Sequence, residues 1–341
     1  MRSFVRAFAV VATTLVAGAE AGAQSDPVAD FYKSHTLTLV SGFTPNGEND
    51  IQLRLLGRYI GNYLPGKPQT LISNMPGAGT LLAANNLVKA PADGTTLAMF
   101  TSQAAIEPYL GNTSAMFDPL KLSWIGSMSQ DRQFCALEGE ANGVKTFSEL
   151  LQKEVLFGSS APATDIFRFS AALKNLLGAK MKLVAGYPGM PAIRLAMDRG
   201  EVAGVCGVSE MILRTNLQEP FQSGQIKLIV QMGRTTTDEF GRVPSVFEFS
   251  KDPKTQELLD FFFKSLAIGR PIAGPAGIPA DRLAALRKAF LETMKDEGFL
   301  TEAKKMGMGI NVATAQDIQT TMEELSRKPK DFYAEVKRVA E

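Results

Sequence analysis

Short apolar runs alternate with amphipathic stretches along the first third of the chain. The runs at residues 37–40, 70–73 and 96–100 have the length and composition of buried strands. Between them, the helical spacing of apolar residues predicts helices that begin near residues 50 and 80. Strands and helices that alternate at such short intervals pair in parallel through helical crossovers. The pattern therefore predicts an α/β sheet with helices on its faces.

A second series of the same units follows, and the chain ends in charged amphipathic helices. The second series predicts strands at 155–158, 182–185, 202–206 and 226–231, and helices at 166–177 and 191–199. The last part predicts a buried strand with three consecutive phenylalanines at 261–268, and helices at 280–295, 315–325 and 329–339. The two series predict two similar lobes. Lobe 1 is formed by residues 24–130 plus 255–341, and lobe 2, residues 131–254, is inserted into it.

The first 23 residues have the pattern of an export signal. A short basic start precedes a mostly apolar run over residues 7–19, and Ala21-Gly22-Ala23 places small residues where a signal peptidase reads them. The alternative is a membrane anchor, but the run is shorter than the roughly 20 apolar residues of a spanning helix. We therefore predict that residues 1–23 are cleaved, that Gln24 is the first mature residue, and that the protein resides in the periplasm.

Composition and charge argue against several classes of function. The chain holds 36 Lys and Arg against 35 Asp and Glu, whereas a nucleic-acid surface needs a local excess of positive charge. A single histidine, His35, and two cysteines cannot build the common zinc or iron–sulfur sites, or a triad with another histidine as base. The sequence also contains no P-loop and no G-x-S-x-G elbow. We expect no catalytic residue, no metal, no cofactor and no nucleic-acid partner.

Both cysteines fall in strand-like apolar settings. An oxidising compartment permits a disulfide between Cys135 and Cys206. Two buried free thiols that simply pack are an equally good interpretation. A nucleophilic cysteine would need a nearby base, and His35 lies in a distant segment. The sequence leaves the pairing of the two cysteines open.

Three loops between a predicted strand and a predicted helix have the composition of anion sites: residues 44–50, 74–80 and 159–165. Each combines Gly, Pro or Asn, which free the backbone, with Ser, Thr, Asn or Asp, which cap helices. Helix starts carry unpaired N–H groups and the positive end of the helix dipole, and ligands of parallel α/β sheets collect there. Any one loop is also explained as an ordinary capped turn, but three together favour a carboxylate-binding cleft.

Motifs in these loops are specific enough to compare with known families. Phe-Thr-Pro-Asn-Gly-Glu-Asn-Asp-Ile at 43–51 is followed by Arg54, residues 74–79 read Asn-Met-Pro-Gly-Ala-Gly, and residues 90–97 read Ala-Pro-Ala-Asp-Gly-Thr-Thr-Leu. They resemble the motifs of the solute-binding receptors of tripartite tricarboxylate transporters, also called the Bug family. Further matches keep the family's order over essentially the whole mature chain: Gly158-Ser159-Ser160, Tyr187-Pro188-Gly189, Gly200-Glu201-Val202 and residues 273–280.

The resemblance implies a two-lobe, type II-like periplasmic binding protein. Each lobe would be a mixed, mainly parallel sheet flanked by helices, and a hinge would join the lobes. Such a receptor binds a small organic carboxylate between its lobes, as a monomer and without catalysis, and delivers it to membrane permease subunits. The predicted ligand-binding residues are Thr44, Pro45, Asn46, Gly47, Glu48, Asn49, Thr101, Ser102, Ser159, Ser160, Ala161, Thr164, Tyr187 and Ser209.

The first loop departs from the family pattern, which usually has glycine where this chain has Asn46 and Glu48. We expect Asn46 to take the left-handed conformation that glycine would, and Asp50 to order the loop as a first-turn acid. Glu48 places a negative charge beside the expected carboxylate, and two such charges 4 Å apart repel by about 4 kcal/mol at an effective dielectric of 20. Either Glu48 turns away to solvent or it binds a donor group of the ligand. We hypothesise that Glu48 tunes selectivity.

Three other functions compete with a transport receptor. A sensor that feeds a signalling receptor would differ only in its downstream partner, which one sequence cannot identify. A receptor for another transporter type could share the two-lobe fold. An exported hydrolase or lyase on the same frame would need a nucleophile and base pair that the sequence does not display.

Overall fold

Two mixed β-sheets, each covered by helices, organise the chain. The computed structural model describes residues 26–130, 132–139, 141–162, 164–234 and 240–340, so the predicted signal over residues 1–23 lies outside them. The first sheet consists of β1 (Leu37–Ser41), β2 (Thr70–Asn74), β3 (Thr96–Met99), β4 (Ser123–Ser127), β10 (Ile272–Gly274) and β11 (Ala313–Thr314). The second consists of β5 (Gln133–Glu138), β6 (Val155–Gly158), β7 (Met181–Val184), β8 (Gly204–Ser209) and β9 (Ile226–Met232).

Helices fill the connections between the strands and form the end of the described chain. In chain order they are α1 (Pro27–Lys33), α2 (Glu48–Tyr63), α3 (Leu81–Asn86), α4 (Ser102–Ile106), α5 (Phe147–Leu150), α6 (Asp165–Leu177), α7 (Met190–Asp198), α8 (Glu210–Arg214), α9 (Gln218–Gln222), α10 (Pro253–Lys264), α11 (Ala280–Thr293), α12 (Glu297–Lys305), α13 (Ala315–Ser326) and α14 (Lys330–Ala340). Within the described ranges, no helix combines the length and the apolar character needed to cross a membrane.

The two sheets mix parallel and antiparallel pairs. The strand order is β11–β4–β10–β3–β1–β2 in the first sheet and β7–β6–β8–β5–β9 in the second. Strand β1 pairs in parallel with β2 and β3, and β6 pairs in parallel with β7 and β8. The other named strand pairs are antiparallel. The prediction of two mixed sheets with flanking helices is confirmed, but parallel pairing is less dominant than expected.

The strand predicted at 261–268 is wrong, because this segment is the end of helix α10 followed by a 3₁₀ turn over Ser265–Ile268. Asp252 starts the helix by accepting a hydrogen bond from the Thr255 backbone N–H (2.8 Å), with proline in the first turn. Phe261, Phe262 and Phe263 are all buried. A helix that is apolar on several sides is covered by neighbours on several sides, and a short apolar run does not distinguish it from a buried strand.

The largest buried cluster runs from one sheet to the other. It includes Phe100 and Trp124 beside the first sheet and Phe157 and Phe169 beside the second, and α10 contributes its phenylalanines between them. One ring contact of this cluster joins Phe169 of α6 to a phenylalanine of α10 at 5.3 Å between centroids. Helix α14 also packs on α6. The lobes therefore share a core on one side, while the predicted boundaries at residues 130 and 255 stay a prediction.

A disulfide joins the antiparallel strands β5 and β8. Cys135 and Cys206 are bonded to each other, and the two residues are opposite one another in the register of these strands. Both are fully buried. The bridge resolves the two alternatives that the sequence left open, and it reinforces the centre of the second sheet.

Candidate functional site

A cleft of about 450 Å³ lies between the two sheets, at the carboxyl ends of their parallel strands. From the first lobe it is lined by residues after β1, β2 and β3 and by Arg270, which precedes β10. From the second lobe it is lined by residues after β6 and β7, by the end of β8 and by Gln133 at the start of β5. The volume falls within the range of small-molecule sites. This is where ligands of open α/β sheets bind.

The side-chain carboxylate of Asp50 orders the first loop, residues 44–50. It is 0% exposed, and its Oδ2 accepts hydrogen bonds from the Asn46 backbone N–H (2.9 Å) and Arg54 Nε (2.7 Å). Its Oδ1 accepts from Asn74 Nδ2 (2.5 Å), and Asn74 Nδ2 also reaches the Phe43 carbonyl (3.1 Å). Burial alone would raise the pKa of Asp50, but these hydrogen bonds outweigh burial and hold the pKa below its ordinary value.

The first loop leads into the start of helix α2. Asn46 has φ 62°, the left-handed conformation predicted for it. Gly47 is the N-cap residue, and Glu48 and Asn49 in the first turn both line the cleft. Glu48 does not turn away to solvent, because its Oε1 accepts a hydrogen bond from Ser209 Oγ of the opposite lobe at 3.4 Å.

The second loop carries an unusual backbone. Residues 77–80 all have positive φ, including the non-glycine residues Ala78 (47°) and Thr80 (75°). Such conformations cost about 1–3 kcal/mol each and cluster at ligand sites. Thr80 Oγ1 accepts from the Thr101 backbone N–H (2.9 Å) and thereby ties this loop to the end of β3. A Cβ at Gly42 would meet Thr80 at 2.8 Å, so only glycine fits where the first two loops approach.

Hydroxyl groups order the loop of the second lobe. Ser160 Oγ and Thr164 Oγ1 are 2.5 Å apart, and Thr164 is the N-cap of α6, accepting from the Phe167 N–H at 3.4 Å. Asp165 opens the first turn of α6, and its Oδ2 lies 3.9 Å from Arg270 Nη2 across the cleft. The N-terminal turn of a third helix, α7, also reaches the cleft and contains no acidic residue.

Half of the predicted ligand-binding residues line the cleft: Thr44, Glu48, Asn49, Thr101, Ser160, Thr164 and Ser209. The others do not: Pro45, Asn46, Gly47, Ser102, Ser159, Ala161 and Tyr187. Ser102 and Ser159 are fully buried behind the wall, and their hydroxyl oxygens have no hydrogen-bond partner among the described residues.

Sequence reasoning missed Arg270 and Gln133. Arg270 follows Gly269, which has φ 51° and approaches Ser129 so closely that a Cβ would lie 1.8 Å from its carbonyl oxygen. The Arg270 backbone N–H donates to Ser127 Oγ (3.1 Å), which fixes the turn that carries the side chain. Neither residue belongs to a strand-to-helix loop. The Gly-Arg-Pro sequence at 269–271 is typical of a turn, and this pattern was the signal that could have indicated Arg270 as a candidate.

A smaller cavity adjoins the cleft. It has a volume of about 290 Å³ and shares Glu48 and Ser209 with the cleft. Its wall also contains Arg132 and Arg214, and both arginines form ion pairs with Glu210. The Glu48–Ser209 contact therefore stands between two polar chambers of one interlobe space.

The described residues contain no group of histidine, cysteine, aspartate and glutamate side chains placed to hold a metal ion. The described lining residues supply hydroxyls, two amides, helix N-termini, two carboxylates and one guanidinium. Groups of these kinds suit a small polar solute. The two sheets, their flanking helices and the cleft between them have the arrangement of the type II periplasmic binding protein fold.

Comparisons with known proteins find relatives at low sequence identity. No family model matches the chain. A UPF0065 protein of Agrobacterium vitis is 25% identical over 322 residues, which cover 91% of this chain and 84% of that protein. Protein BugT of Bordetella pertussis is 32% identical over 88 residues, 26% of each chain.

Solved structures share the fold at low sequence identity. A TctC solute-binding protein from Polaromonas superposes with a TM-score of 0.67 at 17% identity, covering 90% of this chain and 98% of the other. MatC of Rhodopseudomonas palustris, solved with malate, gives 0.65 at 17% identity over 90% and 99% of the two chains. A second R. palustris protein, solved with adipate, gives 0.64 at 16% identity over 90% and 97%. The chain is thus similar over most of its length to a UPF0065 protein and over part of it to a Bug protein, and it shares the fold of a TctC solute-binding protein.

Proposed function

We propose that this protein is an extracytoplasmic receptor that binds a small organic carboxylate between its two lobes. The observation that carries the proposal is the position of Arg270 in the cleft, among the N-terminal turns of α2, α6 and α7. A guanidinium recognises a carboxylate through two parallel hydrogen bonds, and helix N-termini add N–H donors and the positive end of the dipole. Two of the solved structures that share this fold contain small carboxylic acids, malate in one and adipate in the other.

Contacts between the lobes support closure over the solute. Glu48 meets Ser209, and Asp165 faces Arg270, each pair joining one lobe to the other. Outside the cleft, Arg168 of α6 forms an ion pair with Glu107 after α4. Contacts that exist only when the lobes are together stabilise the closed state, and a solute adds to them.

The downstream step is delivery of the solute to the permease subunits of a tripartite tricarboxylate-type transporter. Support comes from the similarity to UPF0065 and Bug proteins and from the export signal predicted over residues 1–23. Mass spectrometry of the protein recovered from the periplasmic fraction should give Gln24 as the first residue. A full-length chain that stays in the membrane fraction would contradict cleavage and release.

Solute binding is tested by thermal shift and calorimetry on the mature protein. The panel should contain malate, adipate, a tricarboxylate, monocarboxylates and an aromatic acid. A bound acid raises stability by mass action, about 2.7 kcal/mol at a hundredfold excess over its Kd. We expect Arg270→Gln to weaken binding of any accepted acid by about 100-fold, the loss typical of a charged partner.

The matched control is Arg199→Gln. Arg199 is 63% exposed, lies at the end of α7 and pairs with Glu201 outside the cleft. It should leave affinity unchanged. If Arg270→Gln folds normally and binds the same acids as tightly as the control, Arg270 is not the carboxylate anchor. If neither an acid in the panel nor an amine-bearing acid such as aspartate binds the wild-type protein, the proposed solute class is wrong.

A further inference from the structure

The charged side chains of the cleft do not suit a dianion. Among the described residues that line the cleft of about 450 Å³, Glu48 and Asp165 are acidic and Arg270 is basic, so this wall carries one net negative charge. In the adjoining cavity, Arg132 and Arg214 are both paired with Glu210. A dicarboxylate would bring two more negative charges into this confined space. A solute with one carboxylate and one ammonium group would bring none, because its two charges cancel. Like charges at short range disfavour binding.

Glu48 is placed to meet a positive group. It is the first residue of α2 and extends toward the opposite lobe, where Ser209 Oγ donates to its Oε1 at 3.4 Å. Ser209 ends strand β8, so this carboxylate lies at the meeting point of the two lobes. A cation there gains a charge-assisted hydrogen bond.

The side-chain oxygen of Gln133 independently indicates a ligand that carries hydrogen-bond donors. The residue is 2% exposed, it lines the cleft, and its Oε1 is buried without a hydrogen-bond partner among the described residues. It pairs with Ser209 in the register of β5 and β8, so it is next to the Glu48 contact. Buried acceptors normally have donors. An ammonium group has three N–H donors and no acceptor, which suits Glu48, Gln133 and Ser209 together.

The carboxylate of the same solute has a separate place. The first turns of α2 and α6 already hold the acids Glu48 and Asp165, whereas the first turn of α7 holds none. Gly189 and Met190 at the start of α7 line the cleft, as does Arg270. The helix that lacks its own acid and the guanidinium remain as the anion end of the cleft.

We propose that the solute is a small zwitterion, with its carboxylate held by Arg270 and the start of α7 and its protonated amine held by Glu48, Gln133 and Ser209. This inference rests on the proposed function, since it assumes a carboxylate in the interlobe cleft. It goes further by naming the second functional group and by making Glu48 and Gln133 the residues that select for it.

The experiment uses pairs of acids that differ only in an amine. Calorimetry on the mature protein compares propionate with β-alanine, butyrate with 4-aminobutyrate, and succinate with aspartate, with malate and adipate as reference acids. The wild-type protein should bind the amine-bearing member of at least one pair about 10- to 100-fold more tightly, the range of one charged hydrogen bond. Glu48→Gln should remove most of that preference, and Gln133→Leu should reduce it.

Glu297→Gln is the matched control, because Glu297 also opens a helix, α12, but is exposed and lies away from the cleft. It should keep the full preference for amines. Glu48→Gly serves as a second variant if Glu48→Gln folds poorly, since it removes the carboxylate with a different effect on the helix start.

The possible outcomes separate the two proposals. If the wild-type protein binds malate, adipate or the amine-free acids at least as tightly as their amine partners, the zwitterion inference is overturned and the carboxylate receptor stands. An unchanged preference in Glu48→Gln and Glu48→Gly also overturns it. If no acid binds at all, both proposals fall.

Discussion

The two loops that face each other across the cleft are ordered by different interactions. The loop before α2 is held by the buried carboxylate of Asp50, which takes hydrogen bonds from a guanidinium, an amide and a backbone N–H. The loop before α6 is held by the neutral hydroxyls of Ser160 and Thr164. Charged hydrogen bonds are roughly twice as strong as neutral ones. The loop before α2 is therefore held by the stronger set of side-chain hydrogen bonds.

The two sheets differ in the opposite sense, because the disulfide lies in the sheet whose loop is held by neutral hydroxyl groups. The second sheet carries the Cys135–Cys206 bridge between its central strands, two residues beyond Gln133 and three before Ser209 along the chain. In the described part of the first sheet there is no such bridge. The second lobe thus combines a disulfide-bonded sheet with a loop that is held by neutral hydroxyl hydrogen bonds. The first lobe depends on the charged network of its loop.

Removing the disulfide should have the largest effect. Cys135→Ala/Cys206→Ala releases a cross-link with a sequence separation of 71 residues. The chain-entropy model then gives a loss of about 4 kcal/mol, because the unfolded chain gains freedom. Urea unfolding of the mature protein measures this loss. Wild-type protein unfolded with and without reductant is the control, and equal midpoints for the two would show that the bridge contributes nothing.

Asp50→Asn should lower the free energy of unfolding by slightly less, about 3 kcal/mol. The amide cannot accept from all three donors, so Arg54 and the Asn46 N–H lose a buried charged partner. Arg54 is 40% exposed, and its contact with water limits the penalty. Urea unfolding and solute affinity should both fall, since the first loop loses its support. Asp30→Asn is the control, because its pair with Lys33 is exposed and contributes little.

Acid should abolish the difference between wild type and Asp50→Asn. The pKa of Asp50 in the folded protein lies below its ordinary value, which is about 3.9 in unfolded chains. A lowered pKa contributes stability that is complete above the unfolded pKa and is lost as pH falls through the folded one. The two unfolding free energies should differ by a constant amount near neutral pH and converge below about pH 4. A difference that persists at low pH would mean that packing, and not charge, stabilises the loop.

The sequence predicted the local order of the first loop well, but it did not predict which distant residues reach the cleft. The role of Asp50 and the left-handed Asn46 follow from local rules for helix starts and glycine-like positions, so they could be inferred from neighbours in the chain. Arg270 and Gln133 reach the cleft through strand pairing with distant residues, which no local pattern encodes. The strand expected at Phe261-Phe262-Phe263 is a helix, because burial on several sides erases the periodicity that separates the two.

Thr164→Ala should have the smallest effect on stability and a distinct effect on binding. Thr164 caps α6 and contacts Ser160, so its loss should cost about 1 kcal/mol. Thr314→Ala removes the cap of α13, whose hydroxyl accepts from the Asp317 N–H at 3.2 Å, and should cost about the same. Because the cap of α6 lies in the cleft, only Thr164→Ala should weaken solute binding, by roughly three- to tenfold, the equivalent of one neutral hydrogen bond. Calorimetry on both variants, with the acid that the wild-type protein binds most tightly, measures this difference in affinity. Equal affinities would mean that the hydroxyl wall of the second lobe orders a helix without contributing to recognition.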